Sequence, residues 1–277
     1  GRMITIKHIA DALGVSPSTV ARALADHPHI REDTKARVRA AAQRLGYVAH
    51  APAKLMRGGR STMVGLVIPD VRNDFYATVA QAISESCVGR GYQLMLSITG
   101  EDPERELAQV RSRASARAAG IILVPSAVPR RDTIALLSHM PHVQLIRGCE
   151  ALSAPWFGID DRAAIRIAVE RLLASGHRRI GYIGGDLALG TSRERRAGYD
   201  DALARAGIVA DPELCRHGPG DIAFGRSAAR QLLARRPRPT GLVTGASLIT
   251  LGMLDALASS RVAVPDSVSV VGFNDGP

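Results

Sequence analysis

At 277 residues and 46% hydrophobic content, the chain is long and apolar enough for more than one packed core. Its three cysteines, Cys87, Cys149 and Cys215, are widely spaced and form no C-x-x-C pair, which argues against a disulfide scaffold and against structural zinc; no cofactor or metal is expected. The net charge of +10 accompanies no apolar run of membrane-spanning length and no signal peptide, so a basic cytoplasmic protein is expected.

The first element is "ITIKHIADAL", where Ile6, Ile9, Ala10 and Leu13 recur at helical spacing and Thr5 can cap the start. The next stretch, "GVSPSTVARAL", ends that helix and begins another. Gly14 takes the left-handed conformation at little cost, Ser16 can accept a free backbone N–H, and Pro17 suits the first helical position. Val20 and Leu24 can pack back on the first helix, while Pro17, Ser18, Ala21 and Arg22 face outward. Small outward residues on the second helix of such a pair suit entry into a DNA major groove. An ordinary helical hairpin is the plain alternative. "EDTKARVRAAAQRL" (32–45) makes a third helix, with Val38, Ala41, Ala42 and Leu45 inward, acidic residues in its first turn and Gly46 at its end.

Residues 1–60 hold 11 Lys or Arg against 4 Asp or Glu, a net of +7, and residues 61–277 carry only +3. Clustered cations displace condensed counterions from a polyanion, so this asymmetry points to nucleic acid. A solvated basic helix face would look the same in composition. The segment "YVAHAPAKLMRGGR" (47–60) is basic through Lys54, Arg57 and Arg60, with Pro52 and Gly58-Gly59 bounding a helix too short to stand alone. Leu55 or Met56 there could wedge between base steps; a linker without contacts is the alternative.

From residue 62 strands alternate with helices: "TMVGLVIP", helix 74–90, "YQLMLSI", helix 103–117, "GIILVP", helix 131–139, "HVQLI". After "WFGID" the alternation resumes with helix 161–175, "RRIGYIG", helix 191–206, an extended piece near 214–217, helix 221–235, "TGLVT", helix 246–259 and "VSVVGF". This pattern implies parallel sheets in two doubly wound lobes, whose strand ends face a cleft. The expected organisation is a helix-turn-helix domain (1–48), a hinge (49–61) and a two-lobed body (62–277), with lobes of about 62–160 and 161–277.

Several motifs in order resemble the lac-repressor family of bacterial transcription regulators: "TIKHIADALGVSPSTVARAL", "VRAAAQRLGYVAH", "VGLVIPDVRNDFYATV", "GIDDRAA", "LLASGHRRIGYIGG", "RERRAGYDDAL", "RRPRPTGLVT" and "VPDSVSVVGFND". The resemblance implies an all-α helix-turn-helix head on an α/β, periplasmic-binding-protein-like body. It implies a homodimeric regulator, expected to be a repressor, that binds a pseudo-palindromic operator under control of a small molecule in the cleft. Base-reading positions then fall on Pro17, Ser18 and Arg22, and backbone contacts on Thr5, Ser16, Thr19, His29 and Tyr47, with Lys54 in the basic hinge and Met56 as the wedge. The effector cleft maps to Asn73, Phe75, Tyr76, Arg147, Arg195, Asn274 and Asp275.

Two departures bear on the effector, which the family suggests is a sugar, sugar acid or similar metabolite. Arg147 stands where many sugar-binding members have Asp, and Ala246-Ser247 where they have Asn-Asp. With Arg195 nearby, the cleft could suit an anionic ligand, unless Arg147 pairs with Glu150 or Asp160. The family also continues past "VVGFND", so the chain reads as truncated at Pro277.

An enzyme is disfavoured. Nucleophile-elbow, phosphate-loop and zinc-protease motifs are missing, and "GYIGGDLALG" lacks the dinucleotide spacing. A secreted solute-binding protein would need a signal peptide and no DNA-binding head.

Overall fold

A computed structural model describes residues 4–47 and 61–273, and the chain forms two compact units, Gly1–Ser61 and Thr62–Pro277. The expected hinge, with Lys54, Leu55 and Met56, lies outside the described residues except for Ser61, as do Asn274 and Asp275.

The first unit holds α1 (Ile6–Leu13), α2 (Pro17–Leu24) and α3 (Glu32–Leu45). Ile9, Ala10, Val20, Ala23, Val38, Ala41 and Ala42 form its core, flanked by Leu13, Leu24 and Tyr47. Six of those seven core residues are alanine or valine, so the helices approach closely. The ends are fixed locally. Gly14 and Gly46 are left-handed at φ 64° and 69°, and Ser16 Oγ accepts the Thr19 N–H at 3.1 Å. At Thr5 the cap is reciprocal in a way the sequence did not suggest: the Thr5 N–H donates to His8 Nδ1 at 3.0 Å. Ser16→Ala should lower the stability of the first unit by about 1 kcal/mol, measured by urea denaturation followed by circular dichroism. A change too small to measure would mean that Ser16 is not a working cap.

The basic surface is smaller than the composition suggests. The Lys35 side chain is only 6% exposed and lies 3.1 Å from Asp26 and 2.7 Å from Glu32, while Arg39 reaches Asp26 at 2.9 Å. The Lys35 ammonium, with help from Arg39, holds the Asp26 carboxyl below the ordinary carboxylate range. Two of the head's cations therefore close the α2–α3 turn and are not free for phosphate.

The second unit contains two all-parallel sheets. The first comprises β1 (Met63–Ile68), β2 (Gln93–Ile98), β3 (Gly120–Leu123), β4 (His142–Leu145) and β5 (Trp156–Phe157), in the order β2-β1-β3-β4-β5. Its connecting helices are α4 (Asp74–Val88), α5 (Pro103–Ser115) and α6 (Arg131–Leu137). The second sheet comprises β6 (Ile180–Gly184), β7 (Cys215–His217), β8 (Gly241–Thr244) and β9 (Ser269–Val271), in the order β7-β6-β8-β9. It is covered by α7 (Asp161–Ala174), α8 (Gly190–Arg205), α9 (Ile222–Ala234) and α10 (Ser247–Ser259).

Strand alternation explains the layers, because successive side chains point to opposite faces. Leu66 and Ile68 pack on the face carrying Tyr76, Ala80 and Ile83 of α4, whereas Val67 packs with Val110 and Leu137 of α5 and α6. Likewise Ile180 and Tyr182 join α7 and α8, and Ile183 joins α9 and α10. The sequence treats "WFGID" as the break between lobes, yet Trp156 and Phe157 pair with Gln144 and Leu145 as an edge strand. Two exposed edge residues carry no periodicity, so this strand was invisible to pattern reading. The extended piece near 214–217 is likewise split, with a 3₁₀ turn at Pro212–Leu214 preceding β7.

Candidate functional site: a helix-turn-helix surface and an inter-lobe cleft

On α2, Ser18 and Arg22 are four residues apart and so share one helix face, with Pro17 at the first helical position. All three are exposed, as are Thr5, Ser16 and His29. Thr19 is half-buried, its hydroxyl 2.9 Å from that of Ser16. Tyr47 is also half-buried and packs on the helical core, its N–H donating to the Ala42 carbonyl at 2.8 Å. The structure therefore presents six of these eight positions to solvent and gives Thr19 and Tyr47 structural partners. His29 sits in the α2–α3 turn with its ring 5.3 Å from that of His27.

In a doubly wound sheet, ligands lie beyond the strand C-termini where the strand order reverses. Here the reversals fall between β1 and β3 and between β6 and β8. Asn73 caps α4 just after β1, its Oδ1 accepting the Phe75 N–H at 3.1 Å. Ser247, at the start of α10, donates from Oγ to the same Asn73 Oδ1 at 3.4 Å and so joins the two lobes. Phe75 and Tyr76 meet edge to face, their ring centroids 5.6 Å apart. Burial pushes the Tyr76 hydroxyl above its ordinary pKa, and Arg147, Glu101 and Arg195 all act on it electrostatically. Residues from both lobes thus converge around one phenol.

Arg147 follows β4 and is buried, with its side chain 8% exposed. Its partner is neither Glu150 nor Asp160. Nη2 donates to both carboxylate oxygens of Glu101, at 2.8 and 2.6 Å, and Nε donates to the Pro125 carbonyl. Pro125 is itself held from below. Glu106 of α5, fully buried, accepts from the Ser126 N–H at 2.6 Å and from the Ser126 hydroxyl at 3.1 Å. Burial pushes the Glu106 carboxyl up, against those hydrogen bonds and the charge of Arg147. Glu101 has φ +63°, a left-handed conformation that costs a non-glycine residue about 1–2 kcal/mol.

Arg195 of α8 is anchored just as firmly. Nε donates to Asp161 at 2.7 Å, Nη1 donates to the Gly245 carbonyl after β8, and the guanidinium lies 3.9 Å from the Phe273 ring centroid. Burial pushes the Asp161 carboxyl up, and Arg195 opposes that rise. Glu101, Asp161 and Phe273 were missed in the sequence as cleft residues, although Glu101 and Phe273 lie within three residues of a strand's C-terminal end, the one signal that marks them.

Two surface grooves are present, and neither is lined by Asn73, Tyr76, Arg147 or Arg195. One, of about 540 Å³, is lined by Pro103, Val128 and Arg131 among others. The other, of about 460 Å³, runs along β9 past Ile159, Ile167 and Phe273. Among the described residues there is no group of metal-ligating side chains, and no helix is long and apolar enough to cross a membrane.

Residues 5–50 match the family described as bacterial regulatory proteins of the lacI family. Residues 61–275 match that of periplasmic binding proteins and the sugar-binding domain of the LacI family. The chain is 28% identical over 274 residues to the transcriptional regulator GalR of Escherichia coli K12, covering 99% of this chain and 80% of GalR. It superposes with a TM-score of 0.85 on a LacI-family regulator from Silicibacter pomeroyi, at 27% identity, covering 98% of this chain and 82% of that one. The lac repressor dimer bound to operator and the anti-inducer ONPF shares the fold, with a TM-score of 0.86 at 24% identity, covering 99% and 83%. A lacI-type head on a body of two parallel sheets that matches the family's sugar-binding domain, among relatives that are transcriptional regulators and not enzymes, makes this chain a member of the LacI family of DNA-binding transcriptional regulators.

Proposed function

We propose that the chain represses transcription by binding a pseudo-palindromic operator as a homodimer, and that a sugar or sugar-derived metabolite in the inter-lobe cleft sets its operator affinity. The observation that carries this reading is the exposed face of α2. Pro17, Ser18 and Arg22 stand free on a helix whose other face is locked into a packed head. The dimer on operator in the lac repressor structure supports the assembly, and the sugar-binding family match supports the effector class.

In this reading Arg22 makes the bidentate contact to a guanine, and Ser18 reads an adjoining base edge. Pro17 lacks a donor and contributes van der Waals contact. Thr5, Ser16, Thr19, His29 and Tyr47 hold the phosphate backbone, and Thr19 and Tyr47 do so largely by fixing the head's shape. Within the cleft, Phe75 and Tyr76 cover an apolar sugar face, while Asn73, Arg147 and Arg195 bond its hydroxyls.

The test uses DNA fragments selected from a random pool for binding to the full chain. Arg22→Ala should weaken binding to the selected site by about 1–3 kcal/mol and leave binding to random duplex nearly unchanged. Equal weakening on both would reduce Arg22 to a phosphate contact. Failure to enrich any sequence would remove the operator reading itself.

A further inference from the structure

Arg147 alone would be a carboxylate receptor, because a guanidinium fork matches a carboxylate in bidentate geometry. Two of its three nitrogens are already engaged. Glu101 accepts both of its hydrogen bonds from Nη2, and Nε is tied to the backbone at Pro125. Glu101 is not a mobile surface group that happens to lie nearby. The Thr99 N–H donates to Ile68 at 2.9 Å and the Gly100 N–H to Pro69 at 2.8 Å, which fastens the turn to the end of β1. On its other side, Asp102 caps α5 through the Glu104 N–H at 2.8 Å. The second cleft guanidinium, Arg195, is matched by Asp161. These two cations and two anions cancel.

We propose that Glu101 sets the charge selectivity of the cleft, neutralising Arg147 so that the first-lobe side accepts uncharged polyhydroxy ligands and rejects their carboxylate derivatives. The inference rests on the sugar-effector reading and narrows it. The Glu101 side chain is 39% exposed against 8% for Arg147, so the carboxylate is the partner that faces an arriving ligand. Each carboxylate oxygen keeps a lone pair beyond the one given to Arg147. A sugar hydroxyl donates to that lone pair, and its oxygen accepts from the neighbouring guanidinium. A ligand carboxylate has no proton to donate and meets like charge.

The test compares matched pairs of neutral aldose and aldonate (glucose and gluconate, galactose and galactonate, ribose and ribonate) by calorimetry on the full chain. The variants are Glu101→Gln, which keeps length, and Glu101→Asn, which suits a left-handed backbone. The wild-type chain should bind at least one aldose, with its aldonate weaker by about tenfold or more. Both variants should shrink or invert that ratio by about tenfold, and adding Arg147→Gln should erase the aldonate gain. An aldonate that binds the wild type more tightly than its aldose overturns the proposal, as does a ratio unchanged in both variants. A wild-type chain that binds no member of either series overturns the sugar-effector reading and this inference together.

Discussion

Arg195→Met should destabilise the body by about 3 kcal/mol at neutral pH, the low end of the range for a buried ion pair that loses one partner. Asp161 is 7% exposed and would keep its charge without a counter-ion. Two features hold the loss to the low end. Asp161 is the first residue of α7, where the helix N-terminus favours an anion. Its carboxyl can also take up a proton. With Arg195 in place, burial already holds that carboxyl above its ordinary value of 3.8. The native state therefore binds this proton more tightly than the unfolded chain does. The resulting contribution is fully present below the ordinary value and disappears as pH rises through the native one. Without Arg195 the native value climbs further, so the variant's deficit should be larger at about pH 7.5 than at about pH 5. Urea denaturation at the two pH values reads this directly. A deficit that does not shrink in acid would mean that Asp161 finds another cation, or water, once Arg195 is gone.

The same pair shows where sequence reading stops. Gly14, Ser16, Pro17 and Gly46 were legible because caps and turns are decided by neighbours in the chain, and the helices of the head follow from them. The strands at 63–68 and 180–184 were legible because burial on both faces leaves an unbroken apolar run. Arg195 and Asp161 are 34 residues apart, and Arg147 and Glu101 are 46 apart. Each partner was visible as a charge, but the pairing depends on which strand ends the sheet order brings together. Glu150 and Asp160 are the carboxylates near Arg147 in sequence, and sequence alone offers them as its partners. The carboxylate that reaches it comes from beyond β2, at the far edge of the sheet. Lys35 was counted with the basic surface for a similar reason. Its burial depends on Asp26 turning back at φ 55° from the end of α2.

Gly198→Val should have an effect at least as large, because α8 crosses α7 at this glycine. A Cβ on Gly198 would lie 2.2 Å from the Arg162 carbonyl oxygen and 3.1 Å from the Arg166 nitrogen. Both atoms are backbone, and they are the acceptor and donor of one turn of α7, so no side-chain rotation relieves the clash. The helices must separate, at a cost of about 3 kcal/mol or more, the upper end for overpacking. Separation reaches the cleft, because α7 begins with Asp161 and α8 carries Arg195, which meet at 2.7 Å. It also strains the Arg162–Asp201 bonds at 2.7 and 2.9 Å between the same helices. Hydrogen exchange should therefore accelerate in residues 161–174 and 190–205, while α1 to α3 keep their protection. Gly220→Ala is the matched control. No heavy atom lies within 4 Å of its added Cβ, and its φ is not positive, so stability should stay within about 0.5 kcal/mol. If Gly198→Val exchanges like Gly220→Ala, the α7–α8 crossing has slack, and the position of Arg195 must be set by Gly245 and Phe273 instead.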